Sequence, residues 1–131
     1  MAVFALNITG APYSTLAPLS ALRFARAALA AGHSIQRIFF YQEGVLLANQ
    51  LACPPQDELN LTRAWQELAN EHQLELVVCV AAALKRGVLD EKEAKRHGLD
   101  QHNLASGFSL AGLGQLIDSF SQADRTLTFC S

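Results

Sequence analysis

Leu74-Glu75-Leu76-Val77-Val78-Cys79-Val80-Ala81-Ala82-Ala83-Leu84 changes character at its midpoint. Leu74 to Cys79 is rich in aliphatic and β-branched residues, the pattern of a buried strand. Val80 onward is alanine-rich and reads as the first turn of a helix. A strand that runs straight into a helix predicts an α/β chain. It also places Cys79 at the joint. The N-terminal end of a helix dipole favours the anionic thiolate over the thiol of a cysteine placed there. Cys79 is therefore a candidate nucleophile, against the alternative of a small buried hydrophobe with no chemistry.

The same alternation extends in both directions. Ala2 to Ile8 is an apolar strand, followed by the loop Thr9-Gly10-Ala11-Pro12-Tyr13. Pro18 to Ala31 reads as a helix, stopped by Gly32 in the position just past its end. Ser34 to Tyr41 is a second strand, broken by Gln42-Glu43-Gly44, and Val45 to Leu51 suits a short helix. Cys53-Pro54-Pro55-Gln56-Asp57 is a loop, since proline breaks both kinds of ladder. Asn60 is a candidate N-cap for a helix whose face is Leu61, Ala64, Trp65, Leu68 and Ala69. Asp90, with Glu93 three residues on, resembles a capping box opening a short charged helix. Leu110, Leu113, Leu116, Ile117 and Phe120 mark a last amphipathic helix, and Arg125 to Phe129 a final strand. Residues 1–131 read as one domain without repeats or linkers.

Alternating strands and helices predict a three-layer α/β/α architecture around a mainly parallel sheet of four to five strands, similar to flavodoxin-like folds. Right-handed crossovers then bring every strand-to-helix loop to one edge. Sites in open α/β sheets lie at that carboxyl edge. Thr9 to Tyr13, Tyr41 to Gly44, and Cys79 are expected to meet there.

Composition narrows the chemistry. The chain has 131 residues, half of them hydrophobic and 17% charged, so a core forms without staples. A net charge of -2 offers no basic footprint for direct nucleic-acid binding. Met1 to Asn7 lacks the basic n-region of a signal peptide. No apolar stretch approaches the roughly 20 residues that cross a bilayer. Three cysteines spaced 26 and 51 residues apart match no zinc pattern and fit free thiols in a reducing, cytoplasmic setting.

Other site chemistries are weaker. His33, His72, His97 and His102 fall at helix ends or in charged segments, not at the carboxyl edge, which disfavours a Cys-His dyad. Glu93 and His97 stand four apart on a helix, with Asp100 and His102 beyond, but an exposed polar helix explains them better than a metal site. Gly112-Leu113-Gly114 lacks the third glycine of a dinucleotide fingerprint and no strand is expected directly before it, and Thr9-Gly10-Ala11-Pro12 lacks the P-loop ending. Cys53 and Cys130 have no helix N-terminus and read as incidental. Lys85 and Arg86 lie six and seven residues past Cys79. A straight helix would hold them about 9–10 Å along its axis from the thiol. They reach the sulfur only if the helix breaks before Gly87.

Three ordered motifs carry a family resemblance. They are Phe39-Phe40-Tyr41-Gln42-Glu43-Gly44-Val45 with Ala48-Asn49-Gln50-Leu51, then Val78-Cys79-Val80-Ala81-Ala82-Ala83-Leu84-Lys85-Arg86-Gly87-Val88, then Gly107-Phe108-Ser109-Leu110-Ala111-Gly112-Leu113-Gly114. Together they resemble the DsrE/TusD family of sulfur-relay proteins, from the Thr9-Gly10 loop to Asp124-Arg125. The resemblance implies a cytoplasmic sulfurtransferase serving 2-thiolation of a tRNA wobble uridine. It places the family's sulfur-carrying cysteine on Cys79. It implies a sulfane sulfur accepted from a TusA-like donor, held as a persulfide and passed to a TusE-like acceptor. It further implies a heterohexamer with homologous TusB-like and TusC-like subunits, and no cofactor or metal. DsrE-type members act in sulfur oxidation instead. A non-catalytic scaffold in which Cys79 is core would show a sulfur with no path to solvent or partner. Phe39, Phe40, Leu46, Leu47 and Leu51 hint at apolar surface for an interface, though a buried core accounts for them almost as well.

Overall fold

The computed structural model describes residues 1–130. Its strands are β1 (Val3–Ile8), β2 (Ser34–Phe40), β3 (Leu76–Cys79), β4 (Phe108–Ala111) and β5 (Arg125–Phe129). They form one sheet of order β4-β3-β2-β1-β5, with every pairing parallel. The helices are α1 (Ala17–Ala30), α2 (Leu61–His72), α3 (Val80–Lys85), α4 (Glu91–Arg96) and α5 (Gly114–Gln122). A 3-10 segment, Gln42–Ala48, follows β2.

Local chemistry accounts for the helix ends. Asn60 Oδ1 accepts from the Arg63 N–H at 3.1 Å and caps α2. Asp90 Oδ1 accepts from the Glu93 N–H at 2.8 Å and caps α4. Gly32, at φ +90°, turns the chain out of α1, a backbone state that costs glycine little.

Strand register divides the helices into layers. Phe4, Leu6 and Ile8 of β1 share a face with their partners Ile35, Ile38 and Phe40 of β2. Phe24 of α1 packs edge-on against Phe4, and Trp65 of α2 edge-on against Phe40, so α1 and α2 cover this face. The opposite face carries Arg37, whose guanidinium donates to the Gln115 carbonyl and the Ser119 hydroxyl of α5. Helices on both faces of a parallel sheet make the expected three layers. The chain steps from β1 to β4 in one direction, then α5 returns it across the other face to place β5 beside β1. Right-handed connections require that change of face when the direction reverses.

Three expectations need correction. Leu110 belongs to β4, not to the last helix, which begins at Gly114. A strand therefore does directly precede Gly112. The short helix expected over Val45 to Leu51 is the 3-10 segment, and it starts three residues earlier. Gly44 explains the shift: a Cβ there would sit 2.1 Å from the Ile8 carbonyl oxygen, so the segment packs directly on the end of β1.

Of the two readings of the apolar run, the buried core holds for all but Leu51. Phe39, Phe40 and Leu47 are core, and Leu46 packs against it. Leu51 is exposed, but the apolar residues that line up in the open are on α5. Ile117 is 65% exposed, and Leu113 and Phe120 flank it on the same helix face. Among the described residues, no helix is long and apolar enough to cross a membrane.

Candidate functional site

Cys79 is the last residue of β3 and the N-cap of α3. Its parallel partner is Ala111, the last residue of β4. Beyond this pair the two chains separate. The β3 connection leaves through α3 on the α1/α2 side, as a right-handed step requires. The β4 connection leaves through Gly112 and Leu113 into α5 on the other side. Neighbouring strands whose connections depart to opposite faces leave a crevice at their carboxyl ends.

That crevice is an open cavity of about 520 Å³. Cys79, Val80, Ala81 and Ala82 form one wall, Gly112 and Leu113 another, and Tyr41 and Gln42 a third. Phe40 pairs with Val78, so Tyr41 and Cys79 are the next residues out on adjacent strands. The Cys79 residue is only 2% exposed. It belongs to the buried core cluster and also contributes to the cavity's lining, so it stands where the core meets the crevice.

Lys85 and Arg86 line the same cavity. The helix runs unbroken through Lys85, which therefore stays about 9 Å along the axis from Cys79; Arg86 is its C-cap, and Gly87 takes φ +79°. Arg86 Nε donates to Glu43 Oε1 at 2.7 Å, and Arg86 Nη1 to the Ala82 carbonyl at 3.2 Å. The 3-10 segment and α3 are thereby tied across the cavity's base.

Gln42 holds φ +51°, a left-handed state that a residue with a Cβ seldom adopts. The turn is imposed from both sides. The Tyr41 N–H donates to the Ile8 carbonyl at 2.9 Å, and Gly44 must pass against that same carbonyl. Behind the site, Asn103 clamps the chain after α3. Its Nδ2 donates to Asn49 Oδ1 and the Gly87 carbonyl, and its Oδ1 accepts from the Leu89 N–H.

Of the three segments expected at this edge, two line the cavity. Thr9 to Tyr13 does not. Thr9 bonds to the Phe129 carbonyl of β5, and the Tyr13 hydroxyl reaches the Leu59 carbonyl and the Leu61 N–H. The Gly112-Leu113 wall takes its place. The signal for it was Phe108-Ser109-Leu110-Ala111, a two-residue alternation after Gly107.

The remaining candidates stand apart from the cavity. Cys53 is exposed in a separate polar hollow beside Arg63, and Cys130 is exposed just past β5. All three thiols are free. His33 Nδ1 accepts from the Ala2 N–H at 2.9 Å, while His72 and His97 stand at the ends of α2 and α4. Among the described residues, no three His, Cys, Asp or Glu side chains are grouped to hold a metal ion.

A parallel three-layer α/β protein with a lone recessed thiol at its switch-point crevice defines a narrow class. The chain belongs to the DsrE/DsrF-like family, which its sequence matches over residues 2–129. A relative from Aliivibrio fischeri named Sulfurtransferase TusD homolog is 52% identical over 97% of this chain and 98% of its own length. The protein named Sulfurtransferase TusD from Klebsiella pneumoniae subsp. pneumoniae is 51% identical over 96% of this chain and 98% of its own length. A relative from Allochromatium vinosum carrying the DsrE name is 48% identical over 96% of this chain and 97% of its own. The fold is shared with the ychN protein from E. coli, at a TM-score of 0.77 and 21% identity over 98% of this chain and all of that one.

Proposed function

We propose that this chain is a sulfurtransferase that carries sulfane sulfur on Cys79. The observation that carries the reading is the place of the thiol: recessed at the end of β3, yet lining an open crevice. Its full-length likeness to proteins named sulfurtransferases supports the same chemistry.

In the proposed cycle the Cys79 thiolate attacks the outer sulfur of a donor persulfide. A Cys79 persulfide forms and the donor thiolate leaves. An acceptor thiolate then takes the outer sulfur and releases the Cys79 thiolate. Adding one sulfur moves the reactive atom about 2 Å from the original sulfur into the cavity.

In the finer reading, the donor is TusA-like, the acceptor TusE-like, and the product a 2-thiolated wobble uridine in tRNA, all in the cytoplasm. The chain works beside homologous TusB-like and TusC-like subunits in a heterohexamer. The exposed α5 face of Leu113, Ile117 and Phe120 supplies an apolar surface for such an assembly. A second reading, sulfur trafficking in dissimilatory sulfur oxidation, is favoured by the 48% identity to the DsrE-named relative, close to the 51% to TusD. A tRNA thiolation gene set beside this gene, or a sulfite reductase set, separates the two.

Mass spectrometry of peptides after incubation with a persulfidated donor protein tests the chemistry. We expect a gain of about one sulfur atom on the Cys79 peptide. Sulfur found only on Cys53 or Cys130, or nowhere, overturns the assignment.

A further inference from the structure

Charge is distributed unequally around the cavity. Tyr41, Cys79, Lys85 and Arg86 are the titratable groups of its lining, and the rest of that lining is uncharged. Glu43 joins them from the 3-10 segment through its ion pair with Arg86. Arg86 is thus doubly engaged, by a carboxylate and by a helix carbonyl. Among the described residues, no carboxylate pairs with Lys85. One cation of the cavity is compensated and the other is not.

We infer that Lys85 is the residue that holds the incoming sulfur-bearing anion, while the Glu43–Arg86 pair is a neutral strut between the cavity walls. The inference rests on Cys79 being the sulfur carrier. Persulfide exchange runs through the thiolate of Cys79 and brings further negative charge to it. The Cys79 thiolate attacks the outer sulfur of R–S–SH, the donor S–S bond breaks, and R–S⁻ leaves with the bonding electron pair. The transferred sulfur keeps its proton, so Cys79–S–SH forms beside R–S⁻. No net oxidation occurs, and one negative charge is present throughout. When the donor arrives already ionised, two anions must meet. An unpaired ammonium at the cavity lowers that repulsion, whereas a guanidinium already matched by a carboxylate contributes little.

The test compares alkylation of Cys79 by iodoacetate, an anion, and by iodoacetamide, which is neutral, with each peptide resolved by mass spectrometry. The readout is the ratio of the two rates on the full chain. Lys85→Gln should lower that ratio about two- to fivefold, the size of a partly exposed charge interaction. Lys85→Arg should preserve it. The paired variant Glu43→Gln/Arg86→Gln removes one charge of each sign and should leave the ratio unchanged. Added salt should shrink the wild-type preference. Lys85 is exposed, and glutamine matches it in helix propensity, so the variant is expected to fold. An unchanged ratio in Lys85→Gln overturns the assignment. So does an equal fall in the paired variant. A Cys79 that reacts with both reagents and takes up sulfur, but ignores Lys85, sinks only this inference. A Cys79 that reacts with neither reagent and gains no sulfur overturns the carrier reading itself.

Discussion

Cys79 and Ala111 are parallel partners at the last rung of β3 and β4, and their chains part immediately beyond it. The crevice beside the buried Cys79 follows from that rung. Without β4 as its neighbour, β3 would end at a sheet edge and no second wall would face the sulfur.

Cys79→Ser should keep the fold. The change is small in volume but puts a hydroxyl among buried core residues, so stability should fall by about 1–3 kcal/mol. Sulfur uptake should vanish. Restoration of thiolation by this variant in a strain lacking the protein would show that another group carries the sulfur.

Gly44→Ala tests the base of the Tyr41–Gln42 wall. The new methyl would meet the Ile8 carbonyl oxygen, a backbone atom fixed within β1. We expect a loss of about 1–3 kcal/mol in urea unfolding, together with slower alkylation of Cys79 as the wall moves. Unfolding at the wild-type midpoint would refute the close packing.

Asn103 bridges the 3-10 segment and the chain after α3 with both ends of its amide. Asn103→Asp replaces a donor with an oxygen facing Asn49 Oδ1 and the Gly87 carbonyl. It should therefore destabilise more than Asn103→Ala, each in the range of about 1–3 kcal/mol. Equal or reversed costs in thermal unfolding would contradict the clamp.

Arg37 fastens α5 to the sheet. Its side chain, only 13% exposed, pairs with Glu75 and donates to Gln115 and Ser119. Arg37→Met should speed hydrogen exchange across α5 while leaving β1 to β3 protected. Uniform acceleration through the whole chain would mean that α5 is not a separable unit.

Glu91 gives a pH-dependent case. Its carboxyl is held below the usual range, first by a hydrogen bond from Lys95, then by the charges of Lys95 and His102. A lowered folded-state value means stability present at neutral pH and lost as pH falls through the carboxylate range. Lys95→Ala should let Glu91 titrate at higher pH by NMR. An unshifted titration would remove Lys95 as the cause.

Much of this was readable in the sequence because local and tertiary signals agreed. β1, β2, β3 and β5 are apolar or β-branched runs between clear stops. Asn60 and Asp90 announce helix starts that the hydrogen bonds bear out. Cys79 was legible as a strand-to-helix joint. β4 was not, because Leu110, Leu113 and Leu116 satisfy a helical period that overlaps its four residues. Pairing with β3 decided in favour of the strand, and pairing is a long-range property. The same loss hid the Gly112-Leu113 wall. The end of α3 at Lys85, with Gly87 just past its C-cap, was foreseen only as a condition. The Glu43–Arg86 pair spans 43 positions and left no local mark.

The strand order has a consequence for how the chain is made. β1 lies between β2 and β5, and β5 leaves the ribosome after the other four strands of the sheet. Until Arg125–Phe129 emerges, β1 displays an unpaired edge rich in Phe4, Leu6 and Ile8. Such an edge is a template for strand addition by another chain. The nascent protein is thus most exposed to misassembly late in synthesis, with four strands already present. Closure joins segments about 120 residues apart and comes at the end. A polar substitution in β5 should therefore act on yield and aggregation during expression before it alters chemistry at the thiol three strands away.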